Sequence, residues 1–204
     1  MTQPELRVRL RKPLERSLRA GHPWVYRDAL EPFEAQPGTV ARVLGKSGRF
    51  VARGLVDAGP IGVRVFTTED EPIDAALFGR RIGAALALRT RVVPPETDAY
   101  RLLHGEGDRL PGIVCDRYGA YAVLRLDGDA AIAWQADVIA WLREPLGALG
   151  VEGLLVRSTA PPPPSRTPSP ACARTASTPR ATRPAPPTCP CYCANWPQRA
   201  NATG

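Results

Sequence analysis

The sequence predicts an α+β fold in three parts: a small β-barrel, a truncated α/β unit, and a disordered tail rich in proline and arginine. Three observations predict it. Short β-type runs crowd residues 1–70, two helical stretches alternate with further strands over 71–157, and the composition breaks after Arg157. Of 204 residues, all 20 acids lie at or before Glu152, whereas 158–204 holds five arginines (Arg166, Arg174, Arg180, Arg183, Arg199) and no acid. Twelve of the 23 prolines fall there too, so only the first two parts have the means to build a core.

The elements follow in order. Glu5–Leu10 alternates apolar with charged residues, the period-2 pattern of a half-exposed strand. Pro13 suits the first turn of a short helix, Leu14–Ala20, that Gly21 ends. His22-Pro23-Trp24-Val25-Tyr26 reads as an aromatic turn. Strands are then expected at Thr39–Leu44, Phe50–Val56 and Gly62–Phe66, the first two joined by a turn at Gly45–Gly48. Asp74 is a good N-cap for a helix reaching about Val92, which Pro94-Pro95 stops. Tyr100–Leu103, Gly112–Asp116 and Ala120–Leu126 read as strands, Ala130–Leu149 as one helix, and Leu154–Val156 as a last strand with nothing to pair it.

The tail contains proline, serine, threonine, alanine and arginine without apolar periodicity, which predicts disorder. Its cysteines Cys189, Cys191 and Cys193 are spaced Cys-x-Cys-x-Cys with no histidine after them, unlike paired zinc-ligand units, and read as incidental. Before Ser158 the basic residues are 20 arginines and 2 lysines, a bias that fits a G+C-rich gene. Out-of-frame translation of such DNA yields the tail's composition, so a frame shift near Ser158 is one account of the join. A true disordered tail is the other, and composition does not separate them. The sequence shows no leader and no apolar run of the roughly 18 residues a membrane helix needs, so a cytoplasmic protein that avoids membranes is expected.

Two stretches together carry a resemblance. Residues 16–26, Arg-Ser-Leu-Arg-Ala-Gly-His-Pro-Trp-Val-Tyr, resemble the start of the PUA domain in class I SAM-dependent rRNA cytosine-C5 methyltransferases. Residues 101–119, with Glu106-x-Asp108, Leu110-Pro111-Gly112 and Asp116-Arg117-Tyr118-Gly119, resemble the central EEHEE domain of that family. Arg109 departs from it, since relatives commonly have glycine there. The resemblance covers about residues 5–157 and implies an RNA-binding PUA-like domain at 1–70, a partial EEHEE-like domain at 71–157, and large-subunit rRNA as partner. It implies that the catalytic SAM-binding domain is missing: no Gly-rich loop follows a strand and opens a helix, so no cofactor is expected in this chain, although intact relatives use S-adenosyl-L-methionine. The chain alone is then expected to be inactive. A stand-alone RNA- or protein-interaction module without enzymatic role is the alternative.

Candidate RNA contacts are Arg7, Arg9, Arg11, Lys12, Arg16, Arg19, His22 and Arg27, with Arg7, Arg9 and Arg11 on one face of the first strand. Arg49 and Arg53 are weaker candidates for the same face. Trp24 reads as structural, and Cys115, inside an apolar strand, as a buried small hydrophobe. Glu106, Asp108 and Asp116 form the one carboxylate cluster, and Asp108 accepting backbone N–H groups in a turn explains it better than a metal or an acid–base pair. No catalytic or metal-binding residue is expected.

Overall fold

The computed structural model describes residues 5–158 and 192–194. The first sheet uses β1 (Leu6–Arg9), β2 (Trp24–Tyr26), β3 (Val40–Leu44), β4 (Phe50–Val56) and β5 (Ile61–Thr67), with helix α1 (Glu15–Arg19) between β1 and β2. Spatial order is β1-β3-β4-β5-β2, with β1 parallel to β3 and the other pairs antiparallel. The ring closes just past β1 and β2, where Arg11 N–H donates to Ala29 O and Glu31 N–H to Arg9 O, both at 2.8 Å. Closure removes the sheet edges that would otherwise expose unpaired backbone groups. Inside lie Val8, Leu10, Leu18, Val25, Ala41, Val43, Val51 and Val63, all nearly inaccessible to solvent. The expected aromatic turn at 22–26 is a strand in its second half: Val25 enters the core while Trp24 and Tyr26 flank it. Three residues are too few to show a period in sequence.

The second unit opens with α2 (Ala75–Val92). Asp74 caps it, its carboxylate accepting Leu77 N–H at 3.0 Å, as the sequence predicts. Then come β6 (Ala99–His104), β7 (Ile113–Tyr118), β8 (Tyr121–Leu126), α3 (Asp129–Ala133), α4 (Gln135–Ala148) and β9 (Gly153–Ser158). β6, β7 and β8 form an antiparallel meander, and the helical crossover sets β9 parallel to β8. The single helix expected over 130–149 is two. Trp134 leaves helical geometry (φ −100°, ψ 14°), and its indole N–H donates to the carbonyl of Gly38 in the barrel at 2.8 Å. Phe78, Trp134 and Trp141 stack beneath the sheet, the Phe78 and Trp141 centroids 4.3 Å apart. Leu55 and Phe66 of the barrel join this second core, tying the units together.

The last strand is not the open edge the sequence predicts. β10 (Tyr192–Ala194) lies antiparallel on β9, with Cys193 opposite Leu155. An exposed strand's unpaired N–H and C=O groups are a template for any extended segment, and residues 192–194 take that place. The other expectations for the tail fall outside the described residues.

A buried ion cluster spans the seam. Arg64 on β5 is 5% exposed and donates to Asp57, itself 4% exposed, at 2.5 Å. Glu106 and Asp127 of the second unit stand 3.4 and 3.5 Å from the same guanidinium. Asp57 also accepts the N–H groups of Ala58 at 2.8 Å and Asp129 at 3.0 Å. Among the described residues no helix is long and apolar enough to cross a membrane.

Candidate nucleic-acid interface

The alternation in β1 turns Val8 into the barrel and leaves Arg7 and Arg9 on its outer surface, exposed. In α1 the one buried side chain is Leu18, and Arg16 and Arg19 point outward. Arg11 and Lys12, between these elements, are exposed as well. Arg7, Arg9, Arg16 and Arg19 form no ion pair among the described residues. The neighbouring cations differ in kind. Arg42, in register with Arg7, is held bidentately by Asp70 at 2.6 Å and lies over the Phe50 ring. Salt-bridged and hydrogen-bonded to Arg42, the Asp70 carboxyl sits below the usual aspartate range.

Three sequence candidates are engaged elsewhere. Arg53 is 8% exposed and bound to Glu5 at 2.5 Å, to Asp70 at 2.9 Å and to the Glu71 carbonyl, so it does not contribute to a basic surface. The second strand of the barrel hairpin is buried on both faces, which single-strand alternation does not reveal. Arg27 donates to Asp57 O at 2.6 Å and covers Phe33, its guanidinium 5.0 Å from the ring centroid. Lys12 pairs with Asp28 at 2.5 Å; that hydrogen bond, helped by Lys12 and Arg11 charge, lowers the Asp28 carboxyl. Arg49 is exposed in the β3–β4 turn.

His22 is half-buried and meets Trp24 edge-on, ring centroids 6.2 Å apart. Trp24 is structural, as expected: its indole N–H donates to Glu106 at 3.2 Å across the seam. Arg19 and His22 line one wall of a cleft of about 530 Å³, and Arg80, Arg81 and Arg109 stand on the other. Arg81 donates to the carbonyls of Phe66 and Arg109, so it bridges the two walls. Burial, with Arg109 charge beside it, lowers its guanidinium to about 10, which leaves it charged at neutral pH. Sequence reading missed Arg80 and Arg81 because α2 presents them only once it packs on the barrel. It noticed Arg109 as a departure, and the structure supplies the reason that glycine suits the position: its φ of 58° and ψ of 30° are left-handed.

The carboxylate cluster is dispersed. Glu106 accepts from Trp24 and Arg64. Asp108 accepts His104 N–H at 2.7 Å, as expected, and a bidentate pair from Arg89 at 2.8 and 2.7 Å. Asp116 pairs with Arg101. Among the described residues no group of three or more metal-binding side chains forms. Cys115 is inaccessible, and burial with neighbouring Asp116 pushes its thiol up to about 12, which removes it as a nucleophile at neutral pH.

Comparison with known proteins agrees with this architecture. Residues 8–68 match the PUA-like domain family. The chain is 40% identical over 132 residues to a ribosomal RNA large subunit methyltransferase of Deinococcus radiodurans, covering 60% of this chain and 32% of that protein. It is 37% identical over 142 residues to ribosomal RNA large subunit methyltransferase I of Salmonella arizonae, covering 67% and 35%. A solved Streptococcus mutans structure, assigned as a SAM-dependent methyltransferase, superposes with a TM-score of 0.65 at 15% identity, over 75% of this chain and 40% of that one. The chain thus spans about a third of the length of the curated relatives it matches.

That structure's assignment names S-adenosyl-L-methionine, a cofactor of the kind that α/β folds hold at a glycine-bearing turn from a strand into a helix. The strand-to-helix turn that carries a glycine is Asp127-Gly128-Asp129, where β8 leads into α3. A Cβ on Gly128 would lie 2.4 Å from Arg64 Nη2 and 2.5 Å from Asp57 Oδ2, so the seam cluster occupies the space at this turn. What the comparisons support is an α+β chain with a PUA-like domain at residues 8–68, related to ribosomal RNA large subunit methyltransferases.

Proposed function

We propose that the PUA-like domain binds large-subunit ribosomal RNA for a methyltransferase that modifies cytosine at C5, with the methyl-transfer chemistry carried outside the described residues. The observation that carries this reading is a set of exposed guanidinium groups on the barrel with no ion pair among the described residues: Arg7 and Arg9 on β1, and Arg16 and Arg19 on α1. Arginines held on rigid elements without acidic partners suit phosphate oxygens, where Arg42 and Arg53, already neutralised, do not. Arg11 adds a further exposed cation, Lys12 is paired with Asp28, Arg27 is held by the Asp57 carbonyl and the Phe33 ring, and His22 lines the cleft, where a base could meet it.

Fluorescence anisotropy with a large-subunit rRNA fragment tests it. Replacing Arg7, Arg9, Arg16 and Arg19 with alanine should weaken binding and flatten the salt dependence, by about 0.7 in log–log slope for each single-strand phosphate that is no longer neutralised. An unchanged slope removes the proposal. The same preparation should transfer no methyl group from SAM to rRNA above a no-enzyme control. The five arginines and absent acids of 158–204 favour a second reading, a stand-alone module whose tail grips RNA without sequence preference. Substituting those five with serine separates the two, since tail binding alone would vanish.

A further inference from the structure

We propose that the face of the second sheet left uncovered by the described residues is a second binding surface for single-stranded RNA, with Tyr118 and Tyr121 as base-stacking platforms and Arg125 and Arg157 as phosphate contacts. The register places these residues together. Tyr118 pairs with Tyr121, Val114 with Arg125, and Asp116 with Val123 across β7 and β8. Tyr121 then pairs with Gly153, Val123 with Leu155, and Arg125 with Arg157 across β8 and β9. Alternation sends the intervening residues, Cys115, Leu124, Leu154 and Val156, into the core against the helices. The helices cover that face only.

The uncovered face has an unusual composition for a surface that only meets water. Tyr118 is 55% exposed and Tyr121 64%, on directly opposed residues of the hairpin end. Tyr121 lies across Gly153: a Cβ there would stand 2.8 and 3.1 Å from its ring carbons. The glycine therefore gives the ring a seat on the neighbouring strand, with the rest of the ring open to solvent. β6 to β9 carry one carboxylate, Asp116, and Arg101 neutralises it at 2.8 Å. Arg125 and Arg157, adjacent and exposed, form no ion pair among the described residues. They lie about 13 Å along the strands from the tyrosines. Exposed aromatic rings on the same sheet face as such arginines, about two nucleotides away, suit splayed bases and their phosphates. An apolar protein partner would leave those two guanidinium groups buried without counter-charge.

The choice of RNA rests on the reading of the barrel given above, and the experiment separates the two. The full chain is titrated into a fluorescein-labelled single-stranded RNA of roughly 12 nucleotides. Tyr118→Ala/Tyr121→Ala should weaken binding about tenfold or more with the salt slope kept, and Tyr118→Phe/Tyr121→Phe should restore it. Arg125→Ala/Arg157→Ala should weaken binding and flatten the slope. Ultraviolet cross-linking of the unaltered chain, read by peptide mass spectrometry, should place RNA on Tyr118 or Tyr121 and does not depend on a variant folding. Sheet variants that bind within twofold of the parent, while Arg7→Ala/Arg9→Ala weakens it, overturn this proposal and leave the barrel reading standing. Weaker binding in the sheet variants but not in the barrel variant supports the sheet and overturns the barrel. A parent that binds no RNA overturns both.

Discussion

Replacing Arg64 with methionine keeps most of the side chain's bulk and removes its charge from the seam. Asp57 would then hold a carboxylate only 4% exposed with no cation bonded to it, since the Arg27 guanidinium bonds the backbone carbonyl of Asp57. Breaking one member of a buried pair destabilises by about 3–5 kcal/mol. Asp57 retains the N–H groups of Ala58 and Asp129, which argues for the lower end, about 3 kcal/mol. For a folded part of this size that is a fall in Tm of about 6–12 °C. Circular dichroism melts of the full chain measure it. The companion change Asp57→Asn keeps an oxygen for the two N–H groups and removes the stranded charge. The double variant should therefore melt above the Arg64→Met single variant, recovering about 1–2 kcal/mol. An Arg64→Met protein that melts within a degree of the parent would show that the cluster is solvated or dispensable. A double variant that melts below both singles would refute the stranded-charge argument even if the first result stood.

Two further outcomes follow from packing. Gly38→Ala should destabilise by several kcal/mol, because φ is +83° there and a Cβ would sit 2.5 Å from Ala133 Cβ and 3.1 Å from the Trp134 ring; chemical denaturation with both units followed would show it, and tryptophan emission should report the displaced indole. Cys115 should resist iodoacetamide in the native chain at neutral pH and react once denaturant exposes it. Its raised thiol value, about 12, means that the thiolate is scarce until pH climbs toward that value, so site-resolved mass spectrometry should find labelling tied to unfolding rather than to pH between 7 and 9.

Much of the fold was legible because local rules decided it. Asp74 caps α2, Phe50–Val56 is a strand end to end, and the β1 alternation gives its two faces directly. The sequence also determined that Arg7, Arg9, Arg16 and Arg19 would face solvent, since Val8 and Leu18 beside them must be buried. Tertiary structure decided the rest. Val25 turned three residues into a strand because β5 stood ready to pair with them. Trp134 divided a helix while bonding to a barrel carbonyl 96 residues away. Arg53 and Arg27 look like Arg7 in sequence, yet partners brought by other elements occupy them, while no acid among the described residues pairs with Arg7. Period and capping act within a few residues, so sequence displays them. Charge pairing and the covering of a sheet face depend on groups far apart in the chain, and only the folded molecule brings those groups within a few ångströms.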